Sequence, residues 1–177
     1  IQTFNNYLII SFLIALSAGT YEYIFSETIF GKQSISNRLL LLTSDNLLLG
    51  QYLSRMFPLI IAFFVYQNSY NKFSYIFLFF IFISTDVLTF LSGERTALGL
   101  LFLSSIFILL LIKKLRLFRF LTIIASIIVI VLITSFNSTI KERNIDHTLN
   151  QLGISSNSDK IHIFSEKHEN YYLTSWN

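Results

Sequence analysis

Long apolar stretches alternate with short polar segments along this chain. Five stretches are rich in Leu, Ile, Phe and Val, and they cover residues 7–25, 47–66, 73–91, 97–112 and 120–136. A helix that crosses a bilayer needs about 20 mainly apolar residues. The stretches are apolar around the whole helix rather than along one stripe. The pattern therefore predicts an all-α protein, a polytopic transmembrane bundle of about five spans with a short fourth span.

Polar segments separate the predicted spans, and a longer one follows the last span. They cover residues 26–46, 67–72, 92–96, 113–119 and 137–177. We divide the chain into a transmembrane region, residues 1–136, and the beginning of a loop, residues 137–177. The chain starts at Ile1 and stops at Asn177 within a polar stretch. We interpret it as a piece of a longer polypeptide that is cut inside this loop.

Composition agrees with a chain whose main solvent is lipid. Hydrophobic residues make up 53% of the 177 residues, charged residues 13%, and the mean hydropathy is +0.61. A soluble domain carries about 25% charged residues. The chain has no cysteine, which excludes disulfides and thiolate metal sites. Its three histidines do not have the spacing of a zinc site.

The basic residues predict which side of the membrane each connector faces. Residues 113–119 contain four Lys or Arg and no acidic residue. Short loops rich in Lys and Arg stay in the cytoplasm. This rule places residues 26–46, 92–96 and 137–177 on the outer face.

Several charged residues fall in or beside the predicted spans, namely Arg38, Arg55, Asp86, Glu94 and Arg95. A charge at the centre of a membrane helix costs at least about 2.5 kcal/mol, so it usually faces a partner or a cavity. Arg55 lies about 12 Å inside the second span by helix rise. It either pairs with Asp86, or snorkels to the interface, or contacts a ligand. Arg95 follows a glycine turn and is either an interfacial anchor or a clamp for phosphate oxygens.

The polar tail contains one further candidate, His168. On a helix, His168, Tyr171, Tyr172 and Ser175 share one face. An aromatic face suits sugar rings or lipid headgroups, and an imidazole can accept a proton from a hydroxyl near neutral pH. Spacing alone leaves open whether His168 is a general base or an ordinary surface histidine.

Three segments resemble the O-antigen ligase and polymerase family. Residues 38–58 resemble a family stretch that reads Arg-Leu, an acidic patch, Leu-Gly-x-Tyr-Leu-x-Arg and a Pro. Residues 92–97, Ser-Gly-Glu-Arg-Thr-Ala, are similar to the family's Ser/Thr-Gly-x-Arg-Thr/Gly-Ala turn. Residues 168–172 are similar to the histidine segment of its large periplasmic loop. One departure is Asn46, where the family commonly has a second acidic residue.

The resemblance implies a larger fold of the GT-C type in the bacterial inner (cytoplasmic) membrane, multi-pass, with its active face in the periplasm. Family members transfer a glycan from undecaprenyl diphosphate to an acceptor hydroxyl, either on the lipid A core or on another lipid-linked glycan. If these family roles apply to the present chain, Arg95 and Arg55 hold the diphosphate and Arg38 supports them. His168 activates the acceptor. The resemblance therefore makes His168 and Arg95 the catalytic candidates. The resemblance implies no metal and no cofactor, and partners limited to these glycans and membrane lipid, without nucleic acid.

Two other functions use the same residues. A transporter or flippase of lipid-linked oligosaccharide would also need intramembrane arginines, but no base, and would favour charges spread through both leaflets. A structural or sensory membrane subunit would use its arginines only to pair with acidic residues. The clearest polar groups gather at one predicted face, which favours the transferase.

Overall fold

A computed structural model of the protein describes residues 2–29, 39, 48–67 and 72–137. These residues form five helices, which are α1 (Gln2–Phe25), α2 (Leu49–Gln67), α3 (Lys72–Ser92), α4 (Arg95–Leu111) and α5 (Lys113–Phe136). Every regular element in this part of the chain is helical, which confirms the all-α prediction. Residues 1–132 form one compact unit, and a second unit, residues 133–177, is described only where α5 ends.

Four of the five helices are long and apolar enough to cross a membrane. Their apolar segments are Asn6–Phe25, Leu49–Tyr66, Phe73–Ser92 and Arg116–Phe136. Large apolar side chains cover their outer surfaces, as at Phe73, which is 86% exposed. These features indicate a membrane-embedded protein. The predicted fourth span corresponds to α4, which has 17 residues and rises about 26 Å, compared with about 30 Å for the hydrocarbon core.

The basic connector is the main difference between the predicted and observed elements. Residues 113–119 were predicted to form a loop, but α5 begins at Lys113 and only Ile112 separates it from α4. The prediction was wrong because it equated charge with a break in the helix. Lys, Arg and Leu are good helix formers, and this segment contains neither Gly nor Pro. The backbone therefore continues as a helix through the charged residues.

Helix α2 lies at the centre of the packing and contacts α1, α3 and α4. One face of α2 supplies fully buried apolar side chains at helical spacing, among them Leu49, Leu53 and Phe57. The ring of Phe57 packs edge-on against that of Phe82 in α3, with 5.2 Å between the ring centroids. Phe12 of α1 is also fully buried and packs beside Tyr52 of α2.

The helices alternate in direction, so the bundle has two chemically different ends. We call one the Arg95 end, where α1 and α3 finish and α2 and α4 begin. The other is the Lys113 end, where α2 and α4 finish and α3 and α5 begin. At the Lys113 end, Lys113, Lys114 and Arg116 are exposed. The assignment of this end to the cytoplasm stays a prediction from the rule for basic residues.

This orientation is testable with reporter fusions. We expect a periplasm-active phosphatase to be silent when inserted after Ile112 with the rest of the chain retained, and active when fused after Asn137. The reason is that Lys113, Lys114 and Arg116 are predicted to hold the Lys113 end in the cytoplasm. A cytoplasm-active reporter at the same two positions is the control and should give the opposite pattern. Phosphatase activity after Ile112 but not after Asn137 would reverse the assignment of the two ends.

Candidate functional site

Two of the segments that the sequence singled out lie against each other at the Arg95 end. Gly50, in the first turn of α2, faces the turn between α3 and α4. A Cβ atom at Gly50 would collide with the Ser92 hydroxyl and would lie 3.2 Å from the Ala97 Cβ and 3.3 Å from Glu94 Oε1. Only a residue without a side chain allows this approach of α2 to the turn. The contact joins the segment that carries Arg55 to the segment that carries Arg95.

The turn that precedes Arg95 has a defined geometry. Gly93 has a φ of 72°, in the left-handed region that glycine enters without steric cost. The Gly93 N–H donates to the Phe90 carbonyl at 3.1 Å. The buried Ser92 hydroxyl donates to the Thr89 carbonyl at 2.7 Å and accepts from the Glu94 N–H at 3.4 Å. These bonds fix the direction in which α4 starts, and therefore the position of Arg95.

Arg55 and Arg95 are both exposed. Arg95 is the first residue of α4, where the first backbone N–H groups have no partner within the helix. Arg55 lies six residues after the start of α2 at Leu49, which is about 9 Å along the helix. Among the described residues, Arg55 makes no side-chain hydrogen bond or ion pair. Arg55 and Arg95 thus lie on α2 and α4, two helices that pack together.

The other predicted site residues lie outside the described part of the chain. Arg38 and His168 belong to this group, as do the aromatic residues that follow His168. Their roles stay predictions. Leu39, the neighbour of Arg38, is described and is buried.

A buried ion pair connects three helices, and the sequence interpretation missed it. Arg119 of α5 is 1% exposed and forms two parallel hydrogen bonds to Asp86 of α3, from Nη1 to Oδ2 at 2.9 Å and from Nη2 to Oδ1 at 2.8 Å. Nη2 also donates to the Ser105 hydroxyl of α4 at 2.6 Å. The Ser126 hydroxyl lies 2.9 Å from Asp86 Oδ2. Bidentate geometry of this kind is the strongest form of an arginine–carboxylate contact.

Aromatic rings enclose the same guanidinium. The Arg119 Cζ atom lies 5.2 Å from the ring centroid of Phe57 and 4.8 Å from that of Phe82. The negative face of an aromatic ring attracts a cation at this distance. Arg119 is thus held by a carboxylate, a hydroxyl and two rings, and the carboxylate supplies the opposite charge.

This ion pair corrects two predictions. Arg119 was placed among four cations of a cytoplasmic loop, whereas it lies inside the bundle. Asp86 was a candidate partner for Arg55, whereas its carboxylate binds Arg119. A signal was present in the sequence, because Arg119, Thr122 and Ser126 occur at i, i+3 and i+7 and are all buried. A polar stripe of this kind in an apolar helix indicates a face turned toward polar partners.

The chain matches no protein-family model, no curated protein and no solved structure. The likeness to O-antigen ligases and polymerases therefore rests on the three short segments. Within the described ranges, no group of three or more His, Cys, Asp or Glu side chains could hold a metal ion. The chemistry available at the Arg95 end is that of exposed arginines beside a helix start, which suits an anionic group such as a phosphate.

Removing one partner of the buried pair should destabilise the bundle. Asp86→Asn leaves the Arg119 charge buried without a counter-charge, and we expect it to lower the free energy of unfolding by about 3–5 kcal/mol. The double variant Asp86→Leu with Arg119→Met removes both charges and should recover most of that loss. Lys114→Met is the control, because it removes an exposed cation of the same helix. Equal unfolding midpoints for wild type and Asp86→Asn in detergent would contradict the pair.

The glycine contact can be tested with a matched pair of glycines. Gly50→Ala places a methyl group against the Ser92 hydroxyl, and we expect a loss of about 1–3 kcal/mol from overpacking. Gly99→Ala, also in a helix, meets nothing within 4 Å and should be neutral or stabilising because alanine favours helix. The unfolding midpoint in detergent measures both. If the two variants shift the midpoint equally, α2 does not approach the turn this closely.

Proposed function

We propose that this protein transfers a glycan from undecaprenyl diphosphate to an acceptor hydroxyl at the periplasmic face of the bacterial inner membrane. The reaction would ligate or polymerise a surface polysaccharide of the O-antigen type, and the protein would be part of a larger fold of the GT-C type. The observation that carries this proposal is the packing of Gly50 against the turn at Ser92 and Glu94. It brings two of the three family-like segments together at the Arg95 end.

Arg55 and Arg95 fit the donor. A lipid-linked diphosphate carries its charge next to the membrane surface and its isoprenoid chain inside the bilayer. Arg95 lies at a helix end and Arg55 about 9 Å along a neighbouring helix. Both are exposed, and arginine matches phosphate oxygens with a planar fork of N–H donors. We assign Arg95 and Arg55 to the diphosphate, with Arg38 supporting them.

The pairing of Asp86 with Arg119 supports a ligand role for Arg55. If Asp86 bound Arg55, that arginine would be a structural residue with a satisfied charge. Asp86 binds Arg119 instead, and both of its oxygens are used. Arg55 has no counter-charge among the described residues, and an arginine of this kind in a membrane helix is expected to face an anionic ligand or the headgroup region.

The proposed reaction is a displacement at the anomeric carbon of the donor sugar. The acceptor oxygen forms a bond to this carbon as the bond to the diphosphate oxygen breaks, and undecaprenyl diphosphate leaves. The acceptor proton passes to the imidazole of His168, acting as general base. Fixed guanidinium groups stabilise the negative charge that develops on the diphosphate.

A transporter or flippase of the same lipid-linked glycan is the alternative. It would need polar groups along a path through both halves of the membrane. The charged pair inside the bundle does not line a path of this kind, because Arg119 is 1% and Asp86 is 9% exposed and two phenylalanine rings cover the guanidinium. This observation favours transfer over transport.

Substitutions in the full-length protein test the proposal. We expect Arg95→Ala, Arg55→Ala and His168→Ala each to reduce transfer at least roughly 100-fold, because each removes a group that acts on the reacting atoms or their charge. Surface polysaccharide on a gel reports the loss, with protein level checked in parallel. Lys114→Ala removes a cation at the opposite end and should leave the polysaccharide pattern unchanged.

The same variants separate transfer from transport. If the protein is a transferase, Arg95→Ala should accumulate lipid-linked glycan on the periplasmic face. Accumulation on the cytoplasmic face would favour the transporter. Normal polysaccharide in all three variants at normal protein level would refute both the transferase and the transporter.

A further inference from the structure

A second candidate binding site lies at the Lys113 end, away from the arginines of the proposed transferase site. It is a groove with a volume of about 590 Å³ between the end of α4 and the start of α5, within the usual size of a small-molecule site. Its lining consists of four apolar residues and two cations, namely Leu109, Leu110, Leu117, Phe120, Lys113 and Arg116. The groove therefore combines a charged part with an apolar part.

The charge of the groove is positive and has no acidic counterpart nearby among the described residues. Glu22 and Glu27 lie where α1 finishes, and Glu94 precedes α4, so all three belong to the Arg95 end. The remaining described carboxylate, Asp86, binds Arg119. Lys113 and Arg116 thus present positive charge that an anionic ligand would complement.

The guanidinium of Arg116 is held in place beside the groove. Its Nε donates to the Leu109 carbonyl at 2.6 Å, and its Nη2 donates to the Leu110 carbonyl at 3.2 Å. These carbonyls belong to the last turn of α4, which lacks helical N–H partners. The two bonds fix the side chain but do not neutralise it, and three of its five N–H groups remain for a ligand. A cation fixed in advance binds an anion with less loss of conformational entropy.

The apolar lining lies at the surface of the bundle. Leu117 is 74% exposed and Phe120 is 55% exposed, and both are on α5, which enters the apolar segment at Arg116. A free inorganic phosphate would leave this surface uncovered. A molecule with a phosphate at one end and a hydrocarbon chain at the other would cover both parts of the groove.

We propose that the groove between α4 and α5 binds one anionic phospholipid. Its phosphate lies beside Lys113 and Arg116, and one acyl chain lies along Leu117 and Phe120. The headgroup region of a bilayer supplies this chemistry at the depth where a membrane helix begins. One basic residue near an anionic membrane surface contributes about a fivefold increase in affinity.

Adjacent lysines provide a matched test of the headgroup contact. Lys113 lines the groove and Lys114 does not, although both are exposed residues of the same helical turn. The full-length protein is purified with an equimolar mixture of phosphatidylglycerol and phosphatidylcholine, and retained lipid is counted by native mass spectrometry. We expect Lys113→Gln to lower phosphatidylglycerol affinity roughly fivefold, and Lys114→Gln to lower it clearly less. Equal losses would show only a general attraction of anionic lipid and would overturn the site.

Two exposed leucines of α5, four residues apart, test the acyl-chain contact in the same assay. Leu117 lines the groove, whereas Leu121, also exposed on α5, does not. Leu117→Asn should reduce retention of phosphatidylglycerol, and Leu121→Asn should not. Displacement of the bound lipid by millimolar inorganic phosphate would show that the charge alone is recognised, and would overturn the proposal of a phospholipid.

Discussion

The contact between Arg119 and Asp86 is the interaction on which the bundle most depends. An ionised side chain in a membrane interior is costly unless a partner of opposite charge and further hydrogen bonds satisfy it. Here the carboxylate takes two guanidinium N–H groups, and hydroxyl groups from α4 and α5 complete the arrangement. The pair therefore links α3, α4 and α5 in one register. Apolar packing alone would tolerate several registers, because lipid and leucine side chains are equally apolar.

The same contact influences the proposed site indirectly. Helix α3 carries Asp86 and ends at Ser92, and α4 carries Ser105 and begins at Arg95. Fixing these two helices through Arg119 also fixes the turn between them. Gly50 then allows the start of α2 to lie against that turn. The position of Arg95 thus follows from two contacts. One is the ion pair of Arg119 and Asp86, and the other is the approach of Gly50 to the turn at Ser92.

The two ends of the bundle differ in their chemistry, and this difference organises both proposals. The Arg95 end combines exposed arginines with the buried carboxylates of Glu22 and Glu94. In the described residues the Lys113 end has exposed cations and no carboxylate. A mixed end can hold a charged substrate in a defined orientation. Exposed cations without a described carboxylate suit the anionic lipid that we propose for the groove.

The sequence by itself determined that the apolar stretches form helices, because a run of apolar residues long enough to cross a bilayer has no other stable form in lipid. It did not determine that α5 begins at Lys113, since the first turns of this helix are charged. The sequence also singled out Arg55 and Arg95 as candidates, because charged residues in apolar runs are rare and local motifs mark them, and their roles stay predictions. The roles of Arg38 and His168 rest on the sequence alone. Only the tertiary structure decided that Arg119 belongs to the core and that Asp86 is its partner. The reason is that the charge pattern of residues 113–119 fits a surface loop equally well. Arg119 is buried because Asp86 of α3 packs against it, and Asp86 lies 33 residues earlier in the chain.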